Sequence, residues 1–166
     1  MKITIAYTSA GAGHAKAAEA LYDDFKKRSR RNQLQLIDVL EQSDFIFRKA
    51  YTSGYSFMVK HVQWLWKVLF YVTSQKRLQP PLTKVRAIHN RARVRGFIRY
   101  LIRENPDAVI ATHFLPAAIA AYLKEEGKIS SKLVTVMTDF GVHPFWVYDK
   151  TDIYCVASEL TAQQLV

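Results

Sequence analysis

Short apolar runs alternate with amphipathic stretches along most of this 166-residue chain. Runs of five or six residues rich in Ile, Val or Leu, bounded by polar or glycine-containing turns, predict β-strands. These predicted strands lie at Lys2–Tyr7, Leu34–Val39, Asp107–Thr112, Leu133–Met137 and Asp152–Ala157. Apolar residues at helical spacing predict helices from His14 to about Arg28 and over Pro116–Lys124, and Ser158 is a predicted N-cap. Strands that alternate with helices predict an α/β fold with a doubly wound, Rossmann-like parallel sheet.

The segment from Phe45 to Arg103 differs from the rest of the chain. It contains 13 Lys and Arg residues and no Asp or Glu, and aromatic residues crowd its centre. The spacing from Leu82 to Arg103 also predicts a cationic amphipathic helix. We therefore predict a basic aromatic helical insertion at about residues 45–103 that lies at a membrane surface, where such side chains meet anionic headgroups. The predicted membrane-binding residues are Lys60, Trp64, Trp66, Lys67 and Phe70.

Two other interpretations of this segment stay open. In one, its helices pack on an ordinary core and expose solvated basic faces. In the other, the same residue types bind RNA, because stacking rings and cations also suit nucleic acid. The whole chain has 24 Lys and Arg against 14 Asp and Glu, a net charge of +10, which favours any polyanionic partner. We favour an anionic membrane surface over nucleic acid.

The composition of the chain limits its structural class and its expected cellular location. A chain of this length that is 49% hydrophobic can bury one domain core, which excludes disorder. The single cysteine, Cys155, excludes a disulfide framework, and its place in a predicted strand predicts a buried, inert thiol. Neither a signal-peptide h-region nor a run of about 20 apolar residues is present, so we expect a protein that is peripheral on the cytoplasmic face of the membrane.

The sharpest candidate chemistry is the turn Ser9-Ala10-Gly11-Ala12-Gly13-His14 after the first strand. Gly11 and Gly13 let a ligand approach the backbone closely. His14 falls in the first turn of a helix, whose dipole lowers the pKa of the ring and favours a neutral base. The structural alternative is a histidine that only bonds nearby backbone. A nucleotide site is a third possibility, but Lys16 stands where a dinucleotide fingerprint has its third glycine.

Other polar residues follow later strands, and ligands of parallel sheets bind at the carboxyl ends of strands. His113 follows the third strand, and Asp139 follows the fourth. Asp139 is a candidate to accept a hydrogen bond from a substrate hydroxyl or to orient an imidazole, although it also suits a loop cap. His143 and Trp146 are predicted on an exposed loop, and Trp146 alternatively packs on the core. Metal motifs such as Asp-x-Asp are missing, so no metal is predicted.

Two motifs together resemble those of monogalactosyldiacylglycerol synthases and processive diacylglycerol glucosyltransferases. The first is the Ser9–His14 turn with its Ala-rich helix. The second is Thr138-Asp139-Phe140 with His143-Pro144-Phe145-Trp146, Asp152-Ile153-Tyr154 and Ser158-Glu159. The resemblance covers both ends of the chain well and its basic middle loosely.

The resemblance implies the N-terminal, acceptor- and membrane-binding half of a two-domain GT-B glycosyltransferase, with the C-terminal donor-binding domain absent from this chain. Such an enzyme transfers a hexose from a UDP-sugar to diacylglycerol with inversion. No cofactor is expected, and binding of the UDP-sugar needs the absent domain, so residues 1–166 alone should be inactive. Carried over, His14 is the general base, Gly11 and Gly13 shape the cleft near the sugar-phosphate, and Asp139 and His143 line the acceptor side. Ser9 and His113 are the other predicted substrate-binding residues. A non-catalytic lipid- or RNA-binding module is the alternative.

Overall fold

The computed structural model describes residues 1–28, 31–62, 64, 68, 71–73, 91–139 and 141–165, without the side chains of 55–56 and 58–61. The strands are β1 (Lys2–Tyr7), β2 (Gln33–Asp38), β3 (Ala108–Ala111), β4 (Lys132–Val136) and β5 (Ile153–Cys155). The helices are α1 (Ala12–Arg28), α2 (Phe45–His61), α3 (Arg95–Glu104), α4 (Phe114–Glu125) and α5 (Glu159–Gln163), with a 3₁₀ turn at Pro144–Trp146.

The five strands form one sheet in the order β2-β1-β3-β4-β5, and every neighbouring pair is parallel. Parallel neighbours need crossover connections, which α1 supplies between β1 and β2 and α4 supplies between β3 and β4. The predicted α/β, Rossmann-like fold is confirmed. It is consistent with the N-terminal half of a GT-B glycosyltransferase, as the resemblance implies.

Hydrophobic residues cover both faces of the sheet because successive strand residues point to opposite sides. Ile3 and Ile5 of β1 pack with Ile110 of β3 and with α1 on one face. Val109 and Ala111 of β3 belong to the larger cluster on the other face, to which α3, α4 and the start of α2 contribute. The chain therefore has the three-layer architecture expected of a parallel sheet.

The predicted continuous helix from Leu82 to Arg103 is wrong in its described part. Residues 91–93 are helical, but Val94 has φ −108° and ψ 39°, and α3 begins after it. Val94 is fully buried, so its packing into the core interrupts the helix. Residues 82–90 lie outside the described residues.

Cys155 lies in β5 as predicted, but the prediction of a buried thiol is wrong because the side chain is exposed. β5 is an edge strand of the sheet. Ile153, which points to the same side as Cys155, is also 54% exposed. Among the described elements, therefore, no helix covers this end of that face.

Candidate active site

The polar residues gather at the carboxyl edge of the sheet. The strand order reverses direction between β1 and β3, because β2 lies on one side of β1 and β3 on the other. Ligands of open α/β sheets bind at such a switch point. The Ser9–His14 turn leaves β1 there, and Thr112 and His113 follow β3.

In the turn after β1, Gly11 adopts a backbone conformation that favours glycine, and Gly13 has open space beside it. Gly11 has φ +106°, a conformation that favours glycine. The buried Asp38, at the end of β2, accepts a hydrogen bond from the backbone N–H of Ser9 at 3.2 Å. A methyl group added at Gly13 would meet no atom within 4 Å, so packing does not require glycine there. The open space beside Gly13 suits the close approach of a ligand.

His14 is held through one ring nitrogen. Its Nδ1 lies 3.0 Å from the carbonyl oxygen of Thr112 and 2.6 Å from Oγ1 of Thr138. A carbonyl oxygen only accepts, so this contact places the proton of the neutral ring on Nδ1. Nε2 then carries the lone pair. The Thr112 hydroxyl donates to the carbonyl oxygen of His14 at 2.9 Å, which holds the backbone as well.

The surroundings of His14 keep its ring neutral near pH 7. Burial lowers the pKa of His14, while the nearby Asp139 charge and the hydrogen bond to Thr112 raise it, and the net change is downward. The predicted direction is confirmed, with burial as the largest cause. A neutral, half-buried imidazole with a lone pair on Nε2 can take a proton from a hydroxyl group.

His113 lies behind this ring. It is 3% exposed, and the two imidazoles meet edge to face with centroids 4.6 Å apart. Its Nδ1 accepts a hydrogen bond from the backbone N–H of Leu115, an N-cap contact that starts α4 two residues earlier than predicted. Burial, and then the neighbouring His14, hold the pKa of His113 well below its usual value. His113 is therefore a neutral part of the site wall.

Asp139 lies on the same side of the molecule as His14. Its Oδ2 accepts a hydrogen bond from the indole Nε1–H of Trp146 at 2.8 Å, and the Trp146 ring lies 6.1 Å from the His14 ring. The carboxylate residue is exposed. One acidic group thus faces both solvent and the imidazole.

The prediction of an exposed loop is wrong for His143, whereas the alternative that Trp146 packs on the core is confirmed. His143 is 7% exposed and Trp146 is 1% exposed, because the 3₁₀ turn folds both side chains inward. Nδ1 of His143 accepts from the backbone N–H of Phe145 at 3.1 Å. Its Nε2 therefore carries the proton of a neutral ring and donates to Oγ1 of Thr73 at 3.0 Å. His143 joins the loop after β4 to the basic aromatic segment.

The predicted membrane-binding residues are only partly described. Trp64 is 67% exposed, and Lys60 lies in α2. Trp66, Lys67 and Phe70 lie outside the described residues. No helix in the described part of the chain has the length and apolar character needed to cross a membrane.

Sequence reasoning missed the two threonines that hold His14. Thr112 is the last residue of the predicted third strand and precedes His113, and Thr138 follows the predicted fourth strand and precedes Asp139. The rule that ligands bind at the carboxyl ends of parallel strands therefore applies to these two threonines as well. Within residues 1–28, 31–62, 91–139 and the other described positions, no three His, Cys, Asp or Glu side chains are grouped to hold a metal ion.

Comparisons with known proteins point to one family. A family model described as monogalactosyldiacylglycerol (MGDG) synthase matches residues 14–166 and so begins at His14. Monogalactosyldiacylglycerol synthase 2, chloroplastic, of Arabidopsis thaliana is 29% identical over 169 residues, which cover 98% of this chain and 35% of the relative. Processive diacylglycerol beta-glucosyltransferase of Bacillus pumilus is 28% identical over 172 residues, which cover 99% of this chain and 41% of the relative. The chain thus spans well under half the length of these relatives, and no solved structure matches it.

Proposed function

The chain belongs to the monogalactosyldiacylglycerol synthase family, and from that premise we propose that it is the acceptor-binding domain of a membrane-associated lipid glycosyltransferase. The membership confirms the resemblance drawn from the two sequence motifs. The proposed enzyme transfers a hexose from a UDP-sugar to diacylglycerol with inversion of the anomeric carbon. Curated relatives are named for diacylglycerol products or substrates, which supports this acceptor.

The proposal rests on which ring nitrogen of His14 carries the proton. Its Nδ1–H donates to the Thr112 carbonyl at 3.0 Å, so Nε2 is the basic atom. In the proposed reaction Nε2 takes the proton of the acceptor hydroxyl as that oxygen bonds to the anomeric carbon. The bond from this carbon to the UDP oxygen breaks in the same displacement, which inverts the centre and releases UDP. The Asp139 charge stabilises the imidazolium that forms.

The remaining site residues have proposed roles around this step. The space at Gly13 and the turn set by Gly11 admit the sugar-phosphate, beside Ser9. Asp139 lines the acceptor side. His143 shapes that side from within the protein, because its hydrogen bond holds Thr73 of the basic aromatic segment.

The surface of α2 supports docking on an anionic membrane. Phe45, Ile46 and Phe57 are at least 60% exposed, and the exposed Arg48 and Lys49 lie among them. No acidic residue occurs from 45 to 103, so nothing in this sequence segment repels a lipid phosphate. Each Lys or Arg near an anionic surface contributes about 1 kcal/mol. The proposed location is peripheral, on the cytoplasmic face of the membrane.

The test of catalysis uses the natural polypeptide that contains this chain. Transfer of hexose from UDP-glucose and from UDP-galactose to diacylglycerol is measured for wild type and for His14→Gln. Loss of a general base lowers kcat by about 10²- to 10⁴-fold. Lys16→Gln is the control, since Lys16 is an exposed residue of the same helix whose side chain pairs with Glu19. Transfer by His14→Gln at a rate near that of wild type would remove His14 from this role.

The test of docking uses the 166-residue chain and vesicles of phosphatidylcholine with or without phosphatidylglycerol. We expect binding only to the anionic vesicles and release at high salt, because exposed charges are screened. Phe45→Ser with Ile46→Ser should weaken binding, whereas Leu160→Ser, a change at another exposed apolar residue, should not. Tighter binding to RNA than to anionic vesicles at matched ionic strength would favour the non-catalytic alternative.

A further inference from the structure

The geometry points to Thr138 as a positioning residue that fixes the rotation of the His14 ring, whose tautomer the Thr112 carbonyl sets. This inference rests on the proposed function, in which Nε2 of His14 is the base. Thr138 lies two residues after the end of β4 and is not part of the glycine turn. Its hydroxyl oxygen is 2.6 Å from Nδ1, closer than the Thr112 carbonyl at 3.0 Å.

The two acceptors act together on one proton. A backbone carbonyl offers no proton, so the contact with Thr112 is favourable only when Nδ1 is protonated. Oγ1 of Thr138 then accepts from the same N–H in a bifurcated hydrogen bond. The two oxygens follow neighbouring strands, β3 and β4, so two adjacent strand ends hold Nδ1 together. Rotating the ring by half a turn would break both contacts.

The other neighbours of His14 do not hold Nδ1. His113 and Trp146 restrict the ring by contact at centroid distances of 4.6 and 6.1 Å. Asp139 acts on the charged form through its negative charge. A substitution cannot remove the Thr112 carbonyl, because it belongs to the backbone. Thr138 is therefore the side chain through which the arrangement can be tested.

The first experiment reads the ring directly. NMR of the nitrogen-15-labelled 166-residue chain detects the Nδ1–H proton of His14. Wild type and Thr138→Ser, which keeps the hydroxyl, should show this proton far downfield and in slow exchange with water. Thr138→Val, which keeps the shape and loses the acceptor, should move the signal upfield and speed its exchange, because one of the two hydrogen bonds is lost. An Nδ1–H signal that is unchanged in Thr138→Val, with the fold confirmed by circular dichroism, would overturn the inference.

The second experiment measures transfer by the natural polypeptide that contains the chain. Thr138→Val should lower kcat by about 10- to 100-fold, the effect of a lost hydrogen bond to a charged group. It should leave the KM for diacylglycerol within about threefold of wild type, because the hydroxyl holds the base rather than the lipid. Thr138→Ser should restore kcat. A parallel change in KM with kcat unaltered would contradict a positioning role.

The pH profile separates this inference from the proposed function. The lost acceptor destabilises the imidazolium, so the pKa of His14 falls and the acidic limb of kcat/KM moves to lower pH in Thr138→Val. A merely structural role would lower activity without moving that limb. If the Nδ1–H signal changes in the NMR spectrum while kcat and the limb do not, Thr138 positions His14 but His14 is not the base. That result would refute the proposed function alone.

Discussion

The close approach of α3 to the turn after β2 provides a test of the packing that places α2. A methyl group added at Gly96 would lie 2.6 Å from the backbone oxygen of Gln42 and 3.1 Å from its side-chain oxygen. Ordinary contact begins at 3.4 Å. Gly96→Ala therefore forces α3 or the turn to move by about 0.8 Å, and a backbone carbonyl cannot swing away as a flexible side chain can.

The expected change in the free energy of unfolding of Gly96→Ala is the difference between two opposing effects. Overpacking of this kind costs about 1–3 kcal/mol, whereas alanine in place of glycine in a helix gains about 0.5–1 kcal/mol. We expect Gly96→Ala to lower the free energy of unfolding by about 1–2 kcal/mol. For a chain of this length, this lowers Tm by about 2–8 °C.

The assay is thermal and urea unfolding followed by far-ultraviolet circular dichroism. Gly54→Ala in α2 is the matched control, since Gly54 is exposed and a methyl group there meets no atom within 4 Å. That variant should gain about 0.5–1 kcal/mol from helix propensity alone. If Gly96→Ala gained as much as Gly54→Ala, the close contact with Gln42 would not constrain α3 and the reasoning would be refuted.

The remaining predictions also concern stability. Burial raises the pKa of Asp152, but hydrogen bonds from Lys124, from the backbone N–H of Leu133 and from Lys132 lower it to about 2. The ionised carboxylate therefore contributes its full stabilisation above pH 3.8, its ordinary pKa. This stabilisation is lost as the pH falls through about 2. Solvent screening limits the effect, so urea unfolding of Asp152→Asn at pH 6 should show a loss of about 1 kcal/mol that shrinks below pH 3. The buried Oγ1 of Thr135 has no hydrogen-bond partner among the described residues. Thr135→Val should thus keep or raise the unfolding free energy, whereas Thr112→Val, which loses the bond to His14, should lower it by about 1 kcal/mol.

Much of the fold and the location of the site follow from local patterns. Short apolar runs fix the strands, and parallel strands place their carboxyl ends at one edge. His14 and Asp139 could therefore be predicted on one side of the molecule before their surroundings were known. The turn at Gly11 could also be predicted, because few residues other than glycine accept its positive φ.

The burial of His143 could not be predicted in the same way. It depends on contacts between distant parts of the chain, such as the bond between His143 and Thr73, which are 70 residues apart. Polar residues beside a proline are typical of exposed loops, so the local pattern favoured the wrong environment. The break at Val94 has the same origin, since core packing overrides helical spacing there.

The arrangement of α2 connects its exposed apolar surface to the candidate site. Phe47 and Tyr51, one turn apart, join the core side of this helix, and the Tyr51 ring lies 6.3 Å from the His113 ring. His113 in turn packs on His14. Ile46 of the same helix is exposed. In the proposed function, a membrane held against α2 would lie about one helix diameter, 10 Å, from the Tyr51 and His113 rings that pack toward His14, and the acyl chains would stay in the bilayer. Helix α2 would then link membrane docking to proton removal. Loss of the exposed apolar residues of α2 should therefore raise the KM for diacylglycerol more than it lowers kcat.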